Sequence, residues 1–154
     1  MSKPVNNLMQ VPDFMLIGAG KSGTTALHYY IQQHPQIFVP SHKDPSYFAM
    51  MNELPAESED DPDEMNHHPS AIYDAEQYQN LFTEAGPGQL TGDVSTIYLY
   101  HPKAAEHIRI YRPEAKFIAI LRHPADRLYS RYMHLARDGR HHITPLNQIF
   151  DHNS

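Results

Sequence analysis

Between Gly18 and Thr25 the chain reads Gly-Ala-Gly-Lys-Ser-Gly-Thr-Thr, which gathers three glycines, one lysine and three hydroxyl side chains into eight positions. That set can hold a phosphate. Gly18, Gly20 and Gly23 let the backbone turn sharply and bring its N–H groups close to an anion, and Lys21 supplies a cation. A helix opening at Thr24 and Thr25 would aim its positive end at the same spot, a contribution of about 0.3–1 kcal/mol for each such contact. Several converging N–H groups and Lys21 are therefore needed together for a polyanion.

The elements around the loop follow from pattern. Phe14 to Ile17 is an unbroken apolar run, as expected of a strand covered on both faces of a parallel sheet. After the loop, Leu27, Tyr30, Ile31 and His34 fall on one side of a helix. The loop does not fit the nucleotide-hydrolysing P-loop, which needs a glycine five positions ahead of Gly20, where this chain has Met15. Gly18, Gly20 and Gly23 do meet Gly-x-Gly-x-x-Gly, but a single match of that kind also describes a turn with no ligand.

A second stretch adds weight to the first. Lys116 to Leu121 reads as another buried strand, and the following segment carries Pro124 at a helix start with Leu128, Tyr132 and Leu135 as an apolar stripe. Arg122 then falls near the carboxyl end of a strand, the edge at which open α/β sheets bind ligands. Arg122 and Ser130 together offer a guanidinium fork and a hydroxyl to a second phosphate. Arg127 and Arg131 read as solvated helix residues.

With these residues in view, the chain resembles the PAPS-dependent sulfotransferases of the bacterial and heparan-sulfate-like branch. Lys21-Ser22-Gly23-Thr24-Thr25 resembles the family's 5′-phosphosulfate loop, and Arg122, Pro124, Arg127, Ser130 and Tyr132 resemble its 3′-phosphate segment. Lys43-Asp44-Pro45-Ser46-Tyr47-Phe48 is similar to the family's Lys-Glu-Pro segment. Gly92-Asp93-Val94-Ser95-Thr96-Ile97-Tyr98-Leu99 is similar to its Glu-Lys-Ser/Thr-Pro-x-Tyr segment, and His101 to Ile108 to the helix that follows. The resemblance implies a three-layer, P-loop-like α/β fold with a mostly parallel sheet, in one domain over 1–154. It implies PAPS as co-substrate, no metal, and transfer of a sulfuryl group to a hydroxyl or amine acceptor, carbohydrate among them.

On that resemblance the donor-binding residues are Gly20, Lys21, Ser22, Gly23, Thr24, Thr25, Arg122 and Ser130, with Lys21 stabilising the leaving phosphate. Asp93 is the carried-over base; a strand-end aspartate also suits capping of the next turn. Lys43 is either a second cation near the leaving group or a surface lysine. His101 and His123 fit the base role less well than Asp93. A non-catalytic nucleotide-binding module and a nucleotide kinase are the rival readings, the kinase disfavoured by the loop spacing and by the lack of a magnesium carboxylate after an apolar strand.

Composition bounds the rest. The 154 residues are 40% hydrophobic, with a net charge of −6 and no cysteine. An acidic chain argues against nucleic acid or anionic membrane as partner, and the absence of cysteine excludes disulfides and thiolate metal sites. No apolar run has membrane-spanning length, and cytoplasmic residence is expected. The 12 histidines lack metal-site spacing on a helix. Residues 53–70 begin with a proline-interrupted acidic run and read as a loop or insertion. Family domains continue past the Arg122–Ser130 segment, so the chain is expected to be an N-terminal portion with an uncovered sheet edge, prone to self-association.

Overall fold

The computed structural model describes residues 11–51 and 70–137. The chain divides into two compact units, Met1–Ile120 and Leu121–Ser154. The expected acidic insertion lies almost wholly outside the described residues.

Among the described residues the first unit holds four strands: β1 (Phe14–Gly18), β2 (Ile37–Phe38), β3 (Leu90–Val94) and β4 (Lys116–Ala119). All pairings are parallel and the order is β2-β3-β1-β4. The described helices of this unit are α1 (Thr24–Gln32), α2 (Tyr47–Met50), α3 (Ala75–Asn80) and α4 (Ala104–Tyr111), with a 3-10 turn at Thr96–Leu99. This is the expected α/β arrangement with a parallel sheet.

β1 is central because its apolar run feeds both faces. Met15 joins a core formed with Phe48, Tyr78, Phe82, Ile97, Tyr98 and Ile108, while Phe14 and Leu16 pack with Val39 and Val94 on the other side, against Leu27 and Ile31 of α1. The alternation is the period of two that a strand imposes. Register places Phe14 opposite Gly92 and Met15 opposite Asp93. Gly92 has to be small: a Cβ there would sit 2.1 Å from Cζ of Phe14. The aromatic layer over β3 is tight, with the rings of Tyr47 and Tyr78 stacked at 4.5 Å.

Two expectations about faces need correction. The helix at α1 forms, but Tyr30 is 70% exposed and His34 lies beyond its last turn; the buried positions are Thr24 and His28. Leu27 and Ile31 do face the core, and beside them the buried imidazole of His28 is satisfied by the Pro40 carbonyl, with Nε2 2.8 Å from the oxygen. The strand expected to be buried at 116–121 forms as β4 yet is exposed at every position, with Phe117 54% accessible. It is the edge of the sheet, and among the described residues nothing pairs with its outer side.

The second unit contains α5 (Pro124–Arg137), which starts at the expected proline. Arg127 N–H donates to the His123 carbonyl at 3.0 Å, closing the first turn. Leu128, Tyr132 and Leu135 are half-buried, as their spacing suggests. Among the described residues no helix is long and apolar enough to cross a membrane.

Candidate functional site

β1 ends at Gly18 and α1 begins at Thr24, so Ala19 to Gly23 form a short connection at the carboxyl edge of the central strand. Backbone bonds anchor its start: Ala19 N–H donates to the Ile120 carbonyl and Ile120 N–H to the Gly18 carbonyl, both at 2.7 Å. Gly23 adopts φ +101, and Lys21 itself is left-handed at φ +64, an uncommon conformation for a residue with a side chain. Among the described residues no side chain caps α1, the buried Ser22 hydroxyl oxygen has no hydrogen-bond partner, and a Cβ on Gly23 would meet nothing within 4 Å. A buried hydroxyl without a partner costs about 1–3 kcal/mol. An anion seated in the loop would supply the missing acceptor, so these residues fit a phosphate-bearing ligand. Gly20, Lys21, Ser22, Gly23, Thr24 and Thr25 are thus brought together as one cradle.

Next to the cradle lies a carboxylate that the sequence reading treated only as a neighbour of Lys43. Asp44 Oδ1 accepts from the backbone N–H of Thr96 at 2.8 Å and from its hydroxyl at 3.1 Å. Asp44 Oδ2 pairs with the Lys43 ammonium. The two side chains retain 28% and 22% of their exposure, respectively. Thr96 touches the loop as well: its hydroxyl lies 4.0 Å from where a Cβ on Gly20 would stand, and its carbonyl 3.1 Å from the same point on Gly18. Asp44 and Thr96 are the residues the sequence reading missed. Both stand in segments it had quoted, next to the Lys43 and Asp93 that it singled out instead.

Asp93 has a different setting from the one expected of a base. It is 1% exposed. Its Oδ1 accepts from the Ser95 hydroxyl at 2.6 Å, and its Oδ2 from the hydroxyls of Tyr78 at 2.8 Å and Tyr98 at 2.7 Å. Burial pushes its carboxyl above the usual carboxylate range, against the pull of the three donated bonds, and the charge on Asp44 adds to the rise. Burial likewise drives the Tyr78 and Tyr98 phenols well above their ordinary value, helped by the Asp93 charge. Enclosed by three hydroxyl donors and nearly without exposure, Asp93 stands here as a buried hydrogen-bond hub.

The second expected phosphate site belongs to the second unit. Arg122 lies in the exposed stretch leading into α5, and Ser130 is half-buried on that helix. Among the described residues no group of three or more His, Asp or Glu side chains is placed to hold a metal ion.

Comparison with known proteins agrees with this fold. A membrane-associated sulfotransferase of Dictyostelium discoideum is 30% identical over 94% of this chain. A bifunctional heparan sulfate N-deacetylase/N-sulfotransferase of Mus musculus is 32% identical over 80% of it. The crystal structure of a sulfotransferase from Alicyclobacillus acidocaldarius superposes with a TM-score of 0.74 at 34% identity, covering 87% of this chain. The chain spans 28% of the Dictyostelium protein, 13% of the mouse protein and 53% of the bacterial one. The model of the sulfotransferase family matches residues 12–152, across both compact units, and the chain belongs to that family.

Proposed function

We propose that this chain carries the donor-binding part of a sulfotransferase that uses PAPS and delivers its sulfuryl group to a hydroxyl or amine, with carbohydrate as the first acceptor to test. The observation that carries the proposal is the cradle at Gly20–Thr25, where, among the described residues, the buried Ser22 hydroxyl has no partner and the helix behind it no side-chain cap. The heparan sulfate relatives support carbohydrate as acceptor. The family match across both units supports reading 1–154 as one domain.

PAPS would supply an activated sulfuryl group on one phosphate and a second phosphate as a handle. Within the cradle, Lys21 and the backbone N–H groups of Gly23 to Thr25 are suited to stabilise negative charge as it builds on the leaving oxygen. Arg122 and Ser130 are assigned to the second phosphate. Asp44 takes the role of base in place of Asp93, because its carboxylate is partly open and is held by Thr96 beside the loop. Lys43 steadies Asp44 from the other side, and an acceptor proton arriving at Asp44 would loosen that pair. Cytoplasmic residence is part of the same proposal, and cell fractionation tests it.

Thermal shift with PAP, and separately with ATP and magnesium, distinguishes the readings. Stabilisation by PAP alone is expected; stabilisation by ATP with magnesium alone would point to a kinase. Binding of PAP without transfer to any acceptor would favour the non-catalytic module. In the chain assayed for transfer from PAPS, Lys21→Ala is expected to abolish turnover, and retained turnover would remove Lys21 from the role given to it.

A further inference from the structure

Asp93 has no direct part in this chemistry, and its surroundings suggest what it does instead. A carboxylate buried among aromatic rings is costly unless its lone pairs are filled. Three hydroxyls fill them, and two of those hydroxyls make a second bond. The Ser95 oxygen accepts from the backbone N–H of Ser46 at 3.0 Å. The Tyr98 oxygen accepts from the backbone N–H of Phe48 at 3.3 Å. A hydroxyl has a single proton, and in both cases Asp93 receives it, so the lone pairs of the oxygen are left to face the incoming N–H. Tyr78 also donates to Asp93, but among the described residues its hydroxyl serves no backbone group.

The N–H groups held in this way belong to the segment that follows Lys43 and Asp44. That segment needs holding. Asp44 and Ser46 are both left-handed at φ +56, two side-chain-bearing residues of three in a conformation each disfavours. The Ser46 hydroxyl adds a bond to the Asp44 carbonyl at 3.0 Å, so the position of Ser46 passes directly to Asp44.

We propose that Asp93 is a positioning residue: through the Ser95 and Tyr98 hydroxyls it fixes the Asp44–Phe48 backbone and so sets where the Asp44 carboxylate stands relative to the phosphate cradle. This rests on the assignment of Asp44 as base. The hub acts by orienting two protons rather than by touching substrate.

Two tyrosines provide the test, since Tyr98→Phe and Tyr78→Phe each remove one hydroxyl from the same carboxylate oxygen in the same buried layer. Both variants are expected to melt earlier than the parent. Only Tyr98→Phe should lower kcat, by about tenfold, with KM for PAPS within about twofold, the loss of one well-oriented bond's worth of transition-state stabilisation. Amide exchange provides a readout that needs no turnover: Tyr98→Phe should speed exchange at Phe48 about tenfold, and Ser95→Ala should do so at Ser46, while Tyr78→Phe leaves both within about twofold. Equal losses of kcat in the two tyrosine variants, or equal exchange at Phe48, would overturn the proposal. If the parent protein failed to turn over PAPS, the functional assignment would fall, and the exchange contrast would still decide whether Asp93 holds this backbone.

Discussion

β3 and β4 flank the same central strand, both parallel to it, and they end in opposite surroundings. β3 is buried from Thr91 to Val94, whereas β4 is exposed from Lys116 to Ala119. Pairing differs as well, since β3 is paired on both sides and β4, at the edge, on one, but pairing alone covers no side chain. What separates them is the layer above β3, where Tyr47, Phe48, Tyr78 and Tyr98 close over the sheet and shut Asp93 inside. The buried strand positions chemistry, and the exposed one supplies register.

The contrast can be broken most forcefully at Asp93. Asp93→Ala strands three buried hydroxyls and should cost about 3 kcal/mol or more by urea unfolding, at about 1–3 kcal/mol for each orphaned group. A loss under about 1 kcal/mol would mean that the hub contributes little. Gly92→Ala comes next: its Cβ would collide with the Phe14 ring, and overpacking predicts a loss of about 1–3 kcal/mol in the same measurement.

A smaller effect depends on pH. Because burial raises the folded-state pKa of Asp93, the folded chain binds its proton before the unfolded chain does. That contribution is fully present below the unfolded pKa and is lost as pH rises through the raised folded value. Lowering the pH from neutral toward the ordinary carboxylate range should therefore shift relative stability toward the parent and away from Asp93→Asn. A gap between the two that does not change with pH would contradict the shift. At the exposed strand, Phe117→Lys should alter stability by no more than about 0.5 kcal/mol. It should also weaken any concentration-dependent association seen by sedimentation, since a lysine on an edge strand discourages pairing with another chain. A large destabilisation would show that β4 is covered after all.

Much of the fold could be read from local pattern. The apolar run at Phe14–Ile17, the glycine loop and the start of α5 at Pro124 are each decided by residues within a few positions of one another, and each formed where expected. The environment of Asp93 was not legible, because it depends on Tyr78, 15 positions away, and Tyr98, 5 positions away, reaching the same oxygen. From composition alone a strand-end carboxylate looks solvent-facing. Asp44 was hidden for the opposite reason: its importance comes from Thr96, 52 positions on, which presents both its N–H and its hydroxyl to one carboxylate oxygen. The burial of His28 on α1 was not legible either, because the spacing of apolar side chains does not reveal that its imidazole would find a carbonyl at Pro40.

Thr96 leaves the phosphate loop and the candidate base mechanically joined. Its carbonyl presses close to Gly18 and its hydroxyl lies near Gly20, while its N–H and hydroxyl proton are given to Asp44. A ligand that shifts the loop on arrival will shift Thr96, and with it the carboxylate. Thermodynamic linkage makes such a connection run both ways with equal strength. An acceptor that draws on Asp44 would tighten or loosen the grip on the donor by the same factor by which the donor alters the grip on the acceptor, with one threonine carrying the coupling.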